Sequence, residues 1–346
     1  MINSSPSPNS RPSVHISTSA RLHFGFMDLQ GGLGRRFGSI GLAIDGIETS
    51  FALSLSTDFA VQGAASREDH DRSLAHLRRL SRDYGFPPAT MMWQQAIPSH
   101  AGLGSGTQLA MAIAESYAVL AGRNLAPSQL AERGARSGIG LAVYHQGGLV
   151  VDGGQKYCAD KIHANYETPP VLARLDFPED WRFVLILDET GKGLHNDAER
   201  AAFAALPPMS AATSGELCRQ VLMQLLPGVI EHDFAAVSQA IGAIQRINGD
   251  YFAPAQGGRY AHPVIGRILA QIAKEGDTGG HRGIGQSSWG PTGFVLAPTA
   301  AAALEVENHI QQLCRAFSEN TQNAVHISTR ITKARNCGRR LSLKSE

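Results

Sequence analysis

Apolar and polar positions change their spacing several times along the chain, and each change marks a predicted element. Residues 15–56 alternate apolar runs with glycine clusters, which predicts strands that meet at a turn near Asp45. Residues 69–83 carry leucines near helical spacing with charged residues between them, which predicts an amphipathic helix that ends before Gly85. The chain therefore opens with β structure and a surface helix.

The middle of the chain changes from strand to loop to helix over a short distance. An apolar strand from residue 91 runs into a glycine-rich loop, and a long Ala-rich helix follows that ends at Gly122. A second helix is predicted for residues 127–136, and residues 138–155 predict a further loop and strand.

The second half begins with a continuous apolar run. Residues 181–189 are typical of a buried strand, and the Pro-containing segment before them predicts a boundary near residue 170. Helical patterns recur through 196–246, and a glycine-rich turn and strand at 285–298 precede a last helix near 299–317. The predicted organisation is a disordered tail at 1–14, a first domain at 15–170 and a second domain at 171–340.

Composition fits a globular protein of two domains. The chain has 346 residues, of which 43% are hydrophobic, enough for a large core. Its formal net charge is +1, so no global field attracts nucleic acid or an anionic membrane, and anions must be bound locally. We expect no nucleic-acid partner and no membrane partner.

Cysteine and histidine usage argues against a structural metal or a disulfide framework. The four cysteines form no C-x-x-C pair, and the thirteen histidines form no H-E-x-x-H pattern. The first fourteen residues lack the apolar core of a secretory signal, and no apolar run reaches the roughly 18 residues of a membrane span. These features predict a cytoplasmic protein.

The loop at residues 98–108, PSHAGLGSGTQ, carries the clearest chemical signal. Gly102, Gly104 and Gly106 allow the backbone to approach an anion, and the helix that starts near Ser105 has free N–H groups at its first turn. A phosphate is the natural ligand, although glycines in such a turn also serve packing alone.

This loop resembles the phosphate loop of the GHMP kinases, usually written P-x-x-x-G-L-G-S-S-A, with its second serine and its alanine replaced by Gly106 and Thr107. Residues 19–28 and 283–296 resemble the first and third motifs of the same superfamily. The resemblance implies an α+β, GHMP-kinase-like fold with an N-terminal ribosomal-protein-like α/β domain and a C-terminal ferredoxin-like α+β domain.

One departure from the superfamily pattern argues against phosphoryl transfer. GHMP kinases commonly carry Ser-Gly-x-Asp after the second motif, with the aspartate as catalytic base, whereas this chain has Ser137-Gly138-Ile139-Gly140. Glycine neither orients a hydroxyl nor accepts its proton. An ATP-dependent small-molecule kinase would need another base, for example Asp152 or His145. A noncatalytic phosphate-binding module is a second alternative.

Four segments resemble β-ribofuranosylaminobenzene 5′-phosphate synthase: His23 to Gly25, and residues 102–108, 146–154 and 285–292. The resemblance implies condensation of phosphoribosyl pyrophosphate with 4-aminobenzoate or 4-hydroxybenzoate and loss of pyrophosphate and CO2. It also implies a place in tetrahydromethanopterin biosynthesis in a methylotrophic or methanogenic host, and a homodimer. The reaction requires no organic cofactor.

The implied chemistry selects the candidate site residues. Neutralising the leaving pyrophosphate predicts Mg²⁺, with Asp28, Asp152 and Glu132 as candidate ligands. His23 and His145 titrate near neutrality in solution and, with Asp28, are the catalytic candidates. Two loops are the candidate anion cradles, and their residues are Gly102, Gly104, Ser105, Gly106, Thr107, Gln108, Gly285, Gln286, Ser287 and Ser288.

The aromatic acceptor needs a cation for its carboxylate and a surface for its ring. The candidate substrate-binding residues are Arg21, Arg136, Lys192, His195 and Trp289, with Lys156 as a further donor near a motif. For each cation a solvated surface role is the alternative, and Trp289 has the alternative role of anchoring its turn in the core.

Overall fold

The computed structural model describes residues 12–125, 138–157, 168–188, 206–275, 283–320 and 326–344. The strands are β1 (Ser13–Asp28), β2 (Arg35–Arg36), β3 (Gly38–Leu55), β4 (Ala60–Gln62), β5 (Ala89–Gln95), β6 (Leu149–Asp152), β7 (Gln155–Lys156), β8 (Val171–Leu175), β9 (Arg182–Asp188), β10 (Ile284–Gln286), β11 (Gly293–Ala297), β12 (Ile327–Thr332) and β13 (Arg340–Lys344). The helices are α1 (Arg67–Tyr84), α2 (Ser105–Leu120), α3 (Ile139–Gln146), α4 (Ala211–Gln220), α5 (Leu226–Glu231), α6 (Phe234–Gln256), α7 (Pro263–Glu275) and α8 (Ala300–Asn320), with a π-helical turn at Val221–Leu225 between α4 and α5.

The first sheet has the strand order β13-β1-β3-β5-β4, and β6 and β8 extend it from β3. On one face, α1 and α2 cover β1, β3 and β5 with apolar side chains such as Leu77 and Met111. Ser66 caps α1 by accepting the N–H of Asp69, and Gly85 ends it in the left-handed conformation. The predictions of this helix and of the strand, loop and long helix after it are confirmed.

The predicted turn near Asp45 is wrong, because β3 runs through it as one strand. Ser19 of β1 is paired with Glu48 and Arg21 with Ala43, so residues 44–47 bulge out of the ladder. The bulge is paired instead with a later part of the chain, since the N–H of Asp45 donates to the carbonyl of Lys333. The Asp-Gly pair at 45–46 predicted that the chain reverses direction here. In the structure the chain continues, and the contact with Lys333 holds a bulge instead.

Residues 139–146, predicted as part of a loop, form the helix α3. Ile139, Ala142 and Val143 pack on Ala43 and Val150 of the first sheet, and residues 139–144 are all buried, so tertiary packing encloses the segment on more than one side. The helix predicted at 127–136 lies outside the described residues.

The second sheet has the strand order β10-β11-β9-β12. The apolar run at 181–189 forms β9, as predicted, and α7 and α8 bury side chains such as Ile268 and Ile310 against this sheet. Within the predicted helical region, helices begin at Ala211, and residues 196–205 lie outside the described part.

The strands divide the chain differently from the predicted boundaries. β1 begins at Ser13, inside the predicted tail, and β8 at Val171–Leu175 is paired with β6 of the first sheet. β13 at Arg340–Lys344 also joins that sheet, through β1. The first sheet therefore includes a strand from the start of the predicted second domain and another that begins at its last residue. None of the helices in the described ranges has the length and apolar character needed to cross a membrane.

Candidate active site

Three distant segments meet at the N-terminal end of α2: the middle of β1, the loop at 98–104 and the turn between β10 and β11. The fully buried Ser287 joins them, because its hydroxyl donates to the carbonyl of Gly102 (2.7 Å) and accepts the backbone N–H of His23 (3.0 Å). The N–H of Ser288 donates to the carbonyl of His23 (3.2 Å). The three motifs of the sequence therefore form one site.

The N-terminus of α2 is arranged for an anion. Gly104, at its N-cap, is left-handed and supplies no capping side chain, and the first helical bond runs from the N–H of Gln108 to Gly104. The N–H groups of residues 105–107 therefore have no acceptor within the helix. Arg21 lies alongside Gly104 and donates from Nη1 to the carbonyl of Gly102 (3.1 Å).

The loop depends on glycine for packing as well as for anion access. Gly102 has a φ of 76°, and a Cβ on it would lie 2.2 Å from the carbonyl oxygen of Ser287. A Cβ on Gly290 would lie 2.3 Å from the carbonyl carbon of Ala101. Both the phosphate interpretation and the packing interpretation of these glycines therefore have support.

Arg72 of α1 reaches the same helix end and was missed by sequence reasoning. Its Nη1 donates to the hydroxyl of Ser99 (3.2 Å), and that hydroxyl in turn donates to Oδ1 of the buried Asp69 (3.1 Å). Its Nη2 lies 2.8 Å from the position that a Cβ on Gly106 would take. The helical pattern of α1 gave no signal for this contact; the glycine in place of a serine at position 106 was the available clue.

Beside this junction lies a narrow cleft of about 30 Å³ with aromatic walls. The ring of His23 lies 4.9 Å from that of Phe26, Phe26 lies 6.2 Å from Phe252, and Phe252 lies 5.0 Å from Trp289. The other lining residues are Phe24, Gly25, Gln245, Asn248, Gly249, Gln256, Gln286 and Ser288. Trp289 packs in the core, at 4% exposure, as its anchoring role predicts, and it also lines the cleft, so stacking against an acceptor ring stays a prediction.

His23 is neutral in this setting. Burial, and secondly the positive charge of Arg21, lower the pKa of its imidazole from 6.5 to about 3. A neutral ring beside the cleft is a hydrogen-bond partner for a substrate rather than a cation.

The turn after β10 does not form the second anion cradle expected at Gly285–Ser288. Gly285 is paired with Phe294 in the sheet, and a Cβ on it would lie 2.2 Å from Oε1 of Gln245. The N–H groups of Gln286, Ser287 and Ser288 are bonded to Gln245 Oε1 and to the carbonyls of Thr292 and His23. The glycine–serine pattern here serves packing between segments.

Two glutamines expected at phosphate groups are also engaged within the protein. Gln108 is fully buried, accepts the hydroxyl of Thr18 and donates to the carbonyl of Gly140 (2.8 Å). Gln286 accepts the N–H of Ala261 and donates to the carbonyl of Ser288. Both amides therefore fasten neighbouring elements of the protein.

Two amides of α6, also missed by sequence reasoning, hold the cleft together from the second half of the chain. Gln245 donates to the carbonyl of Phe24 (2.7 Å), and Asn248 accepts the N–H of Phe26 (3.0 Å) while donating to its carbonyl. Asn248 fills the space beside Gly25, where β1 carries a register shift. Sequence spacing gave no signal for these contacts.

His145 belongs to a different cluster. It lies in the last turn of α3, and its Nε2 is buried with no hydrogen bond to any residue that the structure describes. Burial, and secondly Arg339, lower the pKa of its imidazole, and Glu115 acts in the opposite direction. Arg339 is bonded to Glu115, which also accepts the hydroxyl of Tyr144 (2.5 Å). The structure therefore does not bring His145 together with His23.

The candidate carboxylates differ in their surroundings. Asp28 is half-buried two residues beyond Phe26, and its Oδ1 accepts the N–H groups of Gln30 and Gly31. Asp152 is fully buried beside the start of α3, bonded to the hydroxyl of Ser39 (2.7 Å) and the N–H of Gly154 (2.8 Å). Burial raises its pKa to about 6 despite these hydrogen bonds. Asp152 is thus a structural carboxylate that does not fit a metal-ligand role.

The remaining candidates, Glu132, Arg136, Lys192 and His195, lie outside the described residues. Lys156 lies in β7, paired with Arg35 of β2. No cluster of three or more His, Cys, Asp or Glu side chains occurs within the described ranges.

The position of the missing kinase base is also defined. A Cβ on Gly140 would lie 2.9 Å from Cγ2 of Thr107, so a side chain there would press on the first turn of α2. Neither proposed substitute base takes its place, since Asp152 is enclosed and His145 lies in the Glu115 cluster.

Comparison with known families and structures identifies the fold. Residues 72–149 match the model of the GHMP kinases N terminal domain, and residues 225–316 match that of the GHMP kinases C terminal domain. Phosphomevalonate kinase from Streptococcus pneumoniae superimposes with a TM-score of 0.63 at 11% identity over 93% of this chain and 99% of that chain. A homoserine kinase from Cytophaga hutchinsonii gives 0.60 at 16% identity, over 98% and 99%. The molecule therefore has the GHMP kinase fold.

Sequence comparison then separates it from the kinases. A β-ribofuranosylphenol 5′-phosphate synthase from Archaeoglobus fulgidus is 32% identical over 94% of this chain and 98% of the relative. The enzyme of that name from Methanothermobacter thermautotrophicus is 30% identical over 81% and 88%. The chain belongs to the β-ribofuranosylphenol 5′-phosphate synthase family and is a pentosyl-transferring enzyme.

Proposed function

We propose that this enzyme condenses phosphoribosyl pyrophosphate with a 4-substituted benzoate and releases pyrophosphate and CO2. The observation that carries the proposal is the contact between an anion-binding helix end and an aromatic cleft, joined by the hydrogen bonds of Ser287 to Gly102 and His23. The N-terminus of α2 suits a phosphorylated donor, and the aromatic cleft suits an aromatic acceptor.

The relatives' name supports 4-hydroxybenzoate as the first acceptor to test. Decarboxylating transfer to 4-hydroxybenzoate gives a ribofuranosyl phenol 5′-phosphate, the compound in that name. Transfer to 4-aminobenzoate gives the aminobenzene analogue, and the cleft offers no feature that separates a hydroxyl from an amine.

In the proposed reaction, the bond between ribosyl C1 and the pyrophosphate oxygen breaks, and its electron pair leaves with pyrophosphate. A bond forms between C1 and the ring carbon that carries the carboxylate. The carboxylate leaves as CO2, and its bonding electrons restore the aromatic ring. The transition state has cationic character at the ribose, so groups that stabilise the departing pyrophosphate lower the barrier.

His23 is suited to the para substituent of the acceptor. A neutral imidazole accepts a hydrogen bond from a hydroxyl or amine, and this draws electron density toward the ring carbon that attacks. The aromatic walls at Phe26, Phe252 and Trp289 provide surfaces against which a benzoate ring packs, with π faces that favour a cationic ring.

Magnesium remains part of the proposal. Mg²⁺ in phosphate sites is held by one or two carboxylates together with substrate oxygens, so a three-residue cluster is not required. Asp28 is the described carboxylate that fits, because it is half-buried and its recorded hydrogen bonds, within the described part, fall on Oδ1 alone. When bound, the ion would neutralise charge on the leaving pyrophosphate.

The family resemblance also supports proposals that the contacts within one chain do not address. These are a cytoplasmic location, a homodimer and a role in tetrahydromethanopterin biosynthesis in one-carbon metabolism, including methylotrophy.

The direct test is release of labelled CO2 from carboxyl-labelled 4-hydroxybenzoate or 4-aminobenzoate in the presence of phosphoribosyl pyrophosphate and Mg²⁺. Reactions without donor and reactions with EDTA are the controls. Donor-dependent release from either acceptor is the expected result. Folded protein that binds the donor but releases no label from either acceptor would refute the proposed reaction.

A further inference from the structure

Gly106 is the position where the loop departs from the serine of the GHMP kinase pattern, and Arg72 occupies the space beside it. A Cβ at this position would approach Nη2 of Arg72 to 2.8 Å. A serine side chain therefore competes with the guanidinium for the same volume at the first turn of α2. With glycine at position 106, the guanidinium of Arg72 lies where the kinase pattern would place a serine hydroxyl.

Arg72 is held in this position by its own helix and by the loop. Its Nη1 donates to Ser99 (3.2 Å) and lies 3.7 Å from a carboxylate oxygen of Glu68, one turn earlier in α1. The side chain is 29% exposed, and Nη2 makes no recorded hydrogen bond to the residues that the structure describes. An arginine fixed in this way presents a donor without further ordering.

The helix end thus has two guanidinium groups near it, which enter from different elements. Arg21 comes from β1 and lies along Gly104, whereas Arg72 comes from α1 and lies against Gly106. The free N–H groups at the start of α2 add a partial positive charge of about one half. A phosphate monoester carries about −1.5 to −2 at pH 7, and a diphosphate carries more.

We propose that Arg72, in the space left by Gly106, binds the diphosphate group of the phosphoribosyl donor together with Arg21 and the N-terminus of α2. This inference rests on the proposed function, since it assigns one end of that donor. As the C1–oxygen bond breaks, the electron pair moves onto the diphosphate, and the two guanidinium groups stabilise the added charge.

The test measures anion binding by calorimetry on the full-length protein, without turnover. Pyrophosphate and ribose 5-phosphate serve as separate probes, because they represent the two phosphorylated ends of the donor. The variants are Arg72→Ala, Arg72→Lys and Gly106→Ser. Arg78→Ala, which removes an exposed arginine from the same helix, is the matched charge control. Thermal unfolding of each variant verifies folding.

We expect Arg72→Ala to weaken pyrophosphate binding by about tenfold or more, as for loss of a charged hydrogen bond, and to change ribose 5-phosphate binding by less than about threefold. Arg72→Lys should retain part of the affinity for pyrophosphate, because lysine keeps the positive charge but lacks the planar guanidinium that can donate two parallel hydrogen bonds. Gly106→Ser should weaken pyrophosphate binding although Arg72 is still present. Arg78→Ala should bind both probes as wild type does.

Two outcomes would overturn the assignment. Wild-type affinity of folded Arg72→Ala for pyrophosphate would remove Arg72 from the site, and selective loss of ribose 5-phosphate binding would move it to the other phosphate. A failure of the proposed function looks different: no donor-dependent CO2 is released by wild type, whereas the effect of Arg72 on pyrophosphate persists.

Discussion

At the scale of single residues, the pKa values of two buried ionisable groups are displaced in opposite directions. The pKa of His23 is lowered and that of Asp152 is raised. For His23, burial and Arg21 disfavour the added proton, and for Asp152 burial disfavours its loss. Both groups are therefore held toward the neutral state. This shared tendency follows from desolvation, which penalises whichever form carries charge.

His23 should support turnover without titrating in the working pH range. Because its pKa is about 3, the pH dependence of kcat/KM between pH 5 and 8 should contain no transition that belongs to this ring. We expect His23→Asn to lower kcat by about a hundredfold, within the range for a lost proton-transfer or hydrogen-bonding partner. A transition in that range that disappears in His23→Asn would show that the ring does titrate there.

Asp152 should make folding less favourable as pH rises. Its folded pKa of about 6 exceeds the ordinary aspartate value of 3.8, so its stabilising contribution is complete below pH 3.8 and is lost as pH rises through 6. Relative to Asp152→Asn, the wild type should lose up to about 3 kcal/mol of unfolding free energy between pH 4 and 7. Urea denaturation of both proteins across that range measures the difference. A relative gain by wild type would mean that the hydrogen bonds outweigh burial.

Sequence reasoning found residues whose signal is local and missed those defined by distant contacts. The glycines of the loop and His23 lie within recognisable motifs, and the structure brings them together. Arg72, Gln245 and Asn248 lie in ordinary helical patterns, and only the folded arrangement places their side chains at the site. Ser287 was found for the wrong reason, because its hydroxyl fastens segments rather than a phosphate.

At the scale of elements, the site depends on the close approach of the loop at 98–104 to the turn between β10 and β11. These elements belong to different sheets, and Gly102 and Gly290 form the contact. The sequence shows that each of these segments is a glycine-rich turn or loop. The spacing of residues does not show which distant segment each one will contact. The same limit explains the bulge at 44–47, which was mistaken for a turn.

Gly102→Ala should disrupt this contact by more than backbone strain alone. Gly122 is the matched control, since it also has a positive φ (63°) but a Cβ there would meet nothing within 4 Å. We expect Gly122→Ala to cost about 1–2 kcal/mol of unfolding free energy. Gly102→Ala should cost about 1–3 kcal/mol more through overpacking against Ser287 and Gly290.

Denaturant titration and CO2 release together measure the outcome. Equal losses of stability in the two variants would show that the loop and the turn are not in contact as described. Reduced turnover in Gly102→Ala alone is the expected functional result.

At the scale of the whole molecule, the facing sides of the two sheets share one core, in addition to the separate cores under α1 and α2 and under α7 and α8. Phe24 of β1 packs against Phe183 of β9 and Phe294 of β11, with ring centroids 6.1 and 5.5 Å apart. The order of motifs and the long elements allowed the superfamily fold to be predicted. The domain boundaries were less accessible, because β8 and β13 return to the first sheet through tertiary pairing that leaves no composition change.

Truncation after Arg339 tests the contribution of β13. It removes the partner of β1 over Ser13–Ser17 while keeping the bonds of Arg339 to Glu115. We expect lower stability and self-association, because an uncovered strand edge pairs readily with other chains. Urea denaturation and light scattering measure both effects, and truncation after Lys344 is the control. Unchanged stability and solubility of the shorter chain would show that β13 is dispensable.

The pairing of β13 with β1 has a consequence for the order of events on the ribosome. β1 precedes all the other strands that the structure describes, whereas its outer neighbour is made only after the second sheet has been synthesised. Until then the nascent first sheet exposes the edge of β1, and its closure requires contacts of very large sequence separation, which form slowly. Yield in a cell should therefore respond to translation speed and chaperone supply more strongly than the stability of the finished enzyme suggests.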